Sequence, residues 1–161
     1  MPVRLDYLCQ RPDLIAGLAQ AHVDAFGALL PGWTVEAAAA ELATHRQAEA
    51  IPTTLVALQD GRWLGSVSLL QNDHEDIRQY SPWLASLVVT PEARGQGIGQ
   101  QLVHACVALA GRLQVPRLYL YCTDAVAFYQ RLGWQVHDHI ALASLQVTVM
   151  SIQPPAAPPQ P

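Results

Sequence analysis

The sequence predicts an α/β fold of the α+β kind: a mixed central sheet of about six to seven strands flanked by about four helices. Three observations predict it. Runs with strand periodicity alternate with runs of helical periodicity along the chain. A strongly apolar strand, a glycine-rich turn and a long amphipathic helix follow one another between Trp83 and Leu113. Hydrophobic residues make up 51% of the 161, ample for a sizeable core.

Val3 to Leu8 alternates weakly and reads as the first strand. Pro12 opens a helix whose apolar side carries Leu14, Leu18, Ala21, Val23 and Ala25, ending near Gly27. Pro31-Gly32 marks a break. Thr34 caps a second helix through the Ala-rich segment Val35 to Gln47, which Pro52 ends. Thr53 to Leu58 and Trp63 to Leu70 form a hairpin about Asp60-Gly61. Gln71 to Ser81 is a polar loop holding Asp73, Glu75 and Asp76. Trp83 to Val89 reads as a central strand and Thr90 to Gln96 as a turn. A long helix spans about Gly97 to Leu113, with Ile98, Leu102, Cys106, Leu109 and Leu113 on its buried face. Leu118 to Tyr121 is a short strand, and Asp124 to Leu132 a helix closed by Gly133. Trp134 to His139 and Leu145 to Ile152 complete the sheet. Residues 1–153 are thus expected to form one domain, and 154–161, almost all Pro, Ala and Gln, a disordered tail.

Charge narrows the function. The net charge is -4 and no long basic run occurs, so nucleic acid is not an expected partner. The three cysteines, Cys9, Cys106 and Cys122, form no C-x-x-C pair and lie in or beside apolar segments. Neither a disulfide framework nor a zinc site is expected, and a reduced, cytoplasmic setting is. No signal peptide is visible, and no apolar run is long enough to span a bilayer.

The segment from Leu87 to Gln100 carries the chemistry. A glycine-rich turn entering a helix points several backbone N–H groups at one spot, at the positive end of the helix dipole. Gly97 and Gly99 lack a Cβ, so a bulky anion can approach the backbone closely, and Arg94 adds a positive charge. These are the ingredients of a pyrophosphate site, although a turn needing only positive φ angles has the same glycines. A dinucleotide fingerprint fails, because after Gly95, Gly97 and Gly99 the next glycine is Gly111. A Walker loop fails because the sequence contains no Lys.

Arg94-Gly95-Gln96-Gly97-Ile98-Gly99 resembles the R/Q-x-x-G-x-G/A signature of the GNAT acyltransferase superfamily. Downstream, the segment from Ala125 through Phe128-Tyr129 to Gly133-Trp134 is similar to that family's A-x-x-F-Y-x-x-x-G-F/W element. The two motifs stand in the family's order. The resemblance, spanning about Val3 to Ile152, implies a sheet splayed between its fourth and fifth strands. It implies acetyl-CoA as co-substrate with no metal, and a possible homodimer through the C-terminal strands. Leu87, Val88 and Val89 would then pair with the pantetheine arm. The amides of Gln96, Gly97, Ile98, Gly99 and Gln100 would hold the pyrophosphate, and Arg94, Gly95 and Ala125 would add to the cofactor site. The family's Asn before the Ala-x-x-F-Y element is missing; Cys122-Thr123-Asp124 stands there instead.

Acetyl transfer to nitrogen poses two proton problems. A lysine-like amine is only about 0.1% neutral near pH 7.4, so a base helps, and the leaving thiolate needs a proton. The resemblance makes Tyr129 the general acid and the amide of Val88 or Val89 the oxyanion donor. Glu75 and Asp76 are the preferred bases within the acidic loop that also holds Asp73, although a solvated loop has the same composition. Trp33, Tyr80 and Trp83 are candidates for the acceptor wall. His104 reads as a surface residue. His22 with Asp24, and His137 with His139, lack a completed ligand set and read as satisfied or exposed. Cys122 reads as a small buried residue. The function expected is N-acetyl transfer from acetyl-CoA to a primary amine by direct transfer. The alternative is a non-catalytic acyl-CoA-binding module on the same fold.

Overall fold

The computed structural model describes residues 2–27, 32–74, 77–142 and 145–155. Its seven strands are β1 (Arg4–Tyr7), β2 (Thr53–Gln59), β3 (Arg62–Leu70), β4 (Trp83–Val89), β5 (Leu118–Cys122), β6 (Gln135–Leu142) and β7 (Leu145–Ile152). Its helices are α1 (Ile15–Phe26), α2 (Val35–Ala43), α3 (Ile98–Arg112) and α4 (Val126–Arg131). The strands form one sheet in the order β1-β2-β3-β4-β5-β7-β6. All neighbours are antiparallel except β4 and β5.

Local signals explain most boundaries. The Thr34 hydroxyl accepts from the Ala37 amide at 3.1 Å and caps α2. Asp60 (φ 53°) and Gly61 (φ 79°) are both left-handed, as the tight β2–β3 hairpin requires. Helix α2 ends at Ala43, well short of Gln47. The Thr44 hydroxyl folds back on the Glu41 carbonyl at 2.6 Å, and His45 Nδ1 lies 2.8 Å from Thr54 Oγ1 on β2. Strand β6 runs past His139 to Leu142, where its ladder with β7 ends at Leu142 and Leu145.

The sheet is covered on both faces. Strand β2 shows why: Leu55 and Ala57 join one apolar cluster, Val56 and Leu58 another. The first cluster takes the buried stripe of α3, including Ile98, Leu102, Cys106 and Leu109. The second takes Leu18 and Ala19 of α1 with Ala38 and Leu42 of α2. A third cluster gathers Trp83, Ile77, Leu142, Val147 and Val149 near the β4–β5 junction.

Two irregularities in β4 shape the site. Ser86 has φ 56°, left-handed for a non-glycine residue, and the β3–β4 register shifts between Ser66 and Ser68. Strands β4 and β5 pair in register at Trp83 and Tyr119, and among the described residues their ladder goes no further. The sheet is therefore open between its fourth and fifth strands from Ala85 onward.

Candidate active site

The glycine turn is built as its residues require. Gly95 (φ 80°) and Gly97 (φ 79°) are left-handed, and Gly97 caps the N-terminus of α3. A Cβ built on either meets nothing within 4 Å, so the cradle is open to a bulky anion. Gly99 differs: a Cβ there would sit 3.7 Å from Phe128 and Val89, an ordinary contact. A cavity of about 370 Å³ lies against the turn, lined by Arg94, Gly95, Gly97, Ile98, Gly99 and Gln100 with Leu87, Val89, Ala93 and Phe128. Gln96 turns its side-chain amide back on the Glu92 carbonyl at 3.2 Å; neither it nor Val88 lines this cavity. Exposed N–H groups, the dipole of a 15-residue helix and Arg94 thus converge on open space, a fit for a pyrophosphate.

A second cavity, of about 690 Å³, shares Leu87 with the first. It occupies the opening between β4 and β5, with Leu84 to Leu87 on one side and Leu120 to Cys122 on the other. Tyr129 and Ala125 close it from α4, and α1 and α2 contribute His22, Phe26, Ala38, Glu41 and Leu42. Tyr129 is 8% exposed. Burial, with a smaller contribution from Cys122, raises its phenol above the ordinary range, so the hydroxyl keeps its proton.

Asp73 and Tyr121 meet in this cavity, the phenol donating to the carboxylate. Burial first, and the nearby Glu41 second, push Asp73 up to about 7, while the Tyr121 hydrogen bond pulls the other way. Tyr121 is itself raised, by burial and then by the Asp73 charge. Helix α1 supplies His22, 3% exposed, whose Nε2 has no hydrogen-bond partner among the described residues. Burial pushes this imidazole down to about 4, so it is neutral at physiological pH. His45 is lowered by burial and heads a hidden chain to Thr54 and on to Ser68, each link 2.8 Å. His45 and Ser68 both reach the cavity wall.

The structure distributes the anticipated residues unevenly. Leu87, Val89, Arg94, Gly95, Gly97, Ile98, Gly99 and Gln100 line the turn cavity, and Ala125 and Tyr129 the adjoining one. Trp33 lines the larger cavity and also packs on the α1–α2 cluster. Tyr80 and Trp83 do not line it. Trp83 is fully buried behind the site, edge-on to Tyr121 at 5.9 Å, and its indole donates to the Tyr80 carbonyl at 2.8 Å. Tyr80 stacks on Tyr119 and donates to Asp138 at 2.6 Å. Glu75 and Asp76 lie outside the described residues, as do residues 156–161 of the tail. His104 is exposed. His22 is neither exposed nor satisfied at Nε2, contrary to expectation, because the N-terminal helices seal it into the wall. Cys122 is half-buried and lines the cavity, with burial raising its thiol. Among the described residues no three His, Cys, Asp or Glu side chains converge to hold a metal. No helix among them is long and apolar enough to cross a membrane.

Sequence reading missed Glu41, Tyr121 and His45 as site residues, and passed over Asp73 in favour of its neighbours. For Tyr121 the signal was parity: Leu118 and Leu120 face the α3 core, so Tyr119 and Tyr121 face the other way. Glu41 carried no local signal, and nothing local set Asp73 apart from Glu75 and Asp76, because only the fold brings α2 and the β3–β4 connection together.

An open cradle at a helix N-terminus and a buried phenol thus lie beside a split in the sheet. The family model described as "Acetyltransferase (GNAT) family" matches residues 17–134, and the chain belongs to that family, whose acyl donor is acetyl-CoA. The fold is shared with solved structures of low identity. An N-acetyltransferase from Staphylococcus aureus superposes with a TM-score of 0.75 at 14% identity, covering 95% of this chain and 99% of its own. The yncA protein of Salmonella typhimurium, solved with its cofactor acetyl-CoA, gives 0.73 at 18%, covering 99% of each chain. A chimeric spermidine N-acetyltransferase from Vibrio cholerae gives 0.71 at 17%, covering 95% and 96%. Among curated proteins no sequence matches.

Proposed function

We propose that this protein is an N-acetyltransferase that transfers the acetyl group of acetyl-CoA directly to a primary amine. The observation that carries the reading is that the glycine-turn cavity and the cavity holding Tyr129 and Asp73 share Leu87 of β4 in their walls. The donor, when bound, would supply the thioester carbon that is attacked. Residues of the chain then do the proton work. Asp73, raised to about 7, is still largely ionised near pH 7.4 and more basic than an ordinary carboxylate, so it can take the proton that the amine nitrogen gives up as it bonds to the acetyl carbon. Tyr121 keeps its carboxylate oriented. Tyr129, kept neutral by burial, is placed to protonate the departing thiolate. The β4 backbone beyond Ser86 has no ladder to β5 among the described residues, and the oxyanion donor is whichever amide of Val88 or Val89 faces that gap rather than β3.

Release of free thiol from acetyl-CoA, measured with a panel of primary amines, tests this. Turnover that depends on the amine, and that drops about tenfold or more in Tyr129→Phe at preserved CoA affinity, is the expected outcome. Tight binding of CoA with no turnover across a broad panel would instead favour a non-catalytic acyl-CoA sensor.

A further inference from the structure

The larger cavity has a one-sided charge. Among the described residues that line it, Glu41, Asp73 and Asp124 are acidic, and none is Arg or Lys. An acceptor bearing a carboxylate would enter this wall without a cation to meet it, at a desolvation cost nothing there offsets. A cation meets three acidic residues, with the aromatic side chains of Trp33 and Phe26 in the same wall.

A second observation stands apart from the carboxylates. His22, on the same wall, is 3% exposed and its Nε2 lacks a partner among the described residues. A buried imidazole nitrogen is seldom left bare in a folded protein without a reason. His22 is neutral at physiological pH, so it adds no positive charge to repel a cation and can accept one of its N–H groups.

Asp73 has a task in the chemistry. Glu41 does not: it sits on the exposed side of α2 yet lies close enough to Asp73 to act on its charge. Of the three carboxylates lining the cavity, Asp73 serves the reacting nitrogen and Glu41 beside it is spare, a match for a ligand with two positive charges.

We propose that the acceptor is a small organic dication, an alkyl diamine or polyamine, whose reacting amine meets Asp73 and whose second ammonium is held by Glu41, with His22 Nε2 as a further acceptor. This rests on the acetyltransferase reading and narrows it to a class of amine.

The test uses three amines on one four-carbon chain: butylamine, diaminobutane and γ-aminobutyrate. Acetyl-CoA is held at saturation. We expect kcat/KM for diaminobutane to exceed that for butylamine by about tenfold or more, with the difference in KM, and γ-aminobutyrate to be the poorest. Added salt should raise the diamine KM more than the butylamine KM. In Glu41→Gln the diamine-to-butylamine ratio should fall toward one. Glu41 is exposed on α2, so this variant keeps the fold. Equal use of butylamine and diaminobutane by the wild type, a preference for γ-aminobutyrate, or an undiminished ratio in Glu41→Gln would each overturn the dication while leaving the transferase standing. Absence of turnover with every amine, despite acetyl-CoA binding, would overturn both.

Discussion

The glycine turn and the acceptor cavity meet at Leu87 but are assembled in opposite ways. The turn is one short stretch of chain. Its form follows from glycines at left-handed positions and a helix that starts immediately after them. The cavity takes its walls from α1, α2, β3, β4, β5 and α4, elements far apart in sequence. On the proposed function the first would hold what every donor molecule presents, and the second what distinguishes one acceptor from another. A shared feature can be encoded locally, whereas a selective one is built from side chains the fold gathers from afar.

The largest effect expected separates the two regions outright. Gly97→Trp fills the open space at the α3 N-terminus and forces a side chain onto a φ of 79°. Calorimetric CoA binding should vanish, while amines that reach the other cavity still perturb Tyr121 or Trp33 fluorescence. Next, Asp73→Asn should lower kcat/KM by about a hundredfold or more with CoA affinity kept, since general-base loss is commonly of that order. Residual activity close to wild type would move the base elsewhere in the cavity.

The pH profile sharpens the same point. A carboxyl group raised to about 7 is protonated below that pH and cannot then accept a proton. Activity should therefore fall as pH drops through about 7, and Glu41→Gln, by removing a charge that raises Asp73, should move the bend to lower pH. His22 stays neutral down to about 4, and His45 is also lowered, so neither accounts for a bend at 7. Stopped-flow thiol release across the range measures it. The smallest effect is structural: Thr34→Ala removes the α2 cap and should cost about 1 kcal/mol, lowering Tm by about 2–4 °C.

How much of this was legible follows from how each part is encoded. The cap at Thr34, the Asp60-Gly61 hairpin, the apolar stripe of α3 and the whole of β4 and β7 could be read because neighbouring residues dictate them. So could the left-handed turn at Gly95 and Gly97. The end of α2 was misjudged because the His45 to Thr54 bond, not propensity, stops it. Trp83 was expected to face the acceptor; its burial behind Tyr121 depends on Ile77, Val147 and Val149, contacts that no local pattern announces. Asp73 could be placed in an acidic loop, but its distinction from its neighbours is conferred by Glu41 and Tyr121.

The single registered pairing between β4 and β5 has a consequence for the molecule at rest. A sheet unlaced between these two strands leaves the β4 peptide groups that face β5 beyond Ala85 without a ladder, while the others stay paired with β3, so the β5-facing amides should exchange quickly with deuterated water in the free protein. A donor arm lying in that gap would slow their exchange and bind the two halves of the sheet together. Donor capture and mechanical integrity would then be one event, and acetyl-CoA would act as a strut in the architecture as well as a reagent.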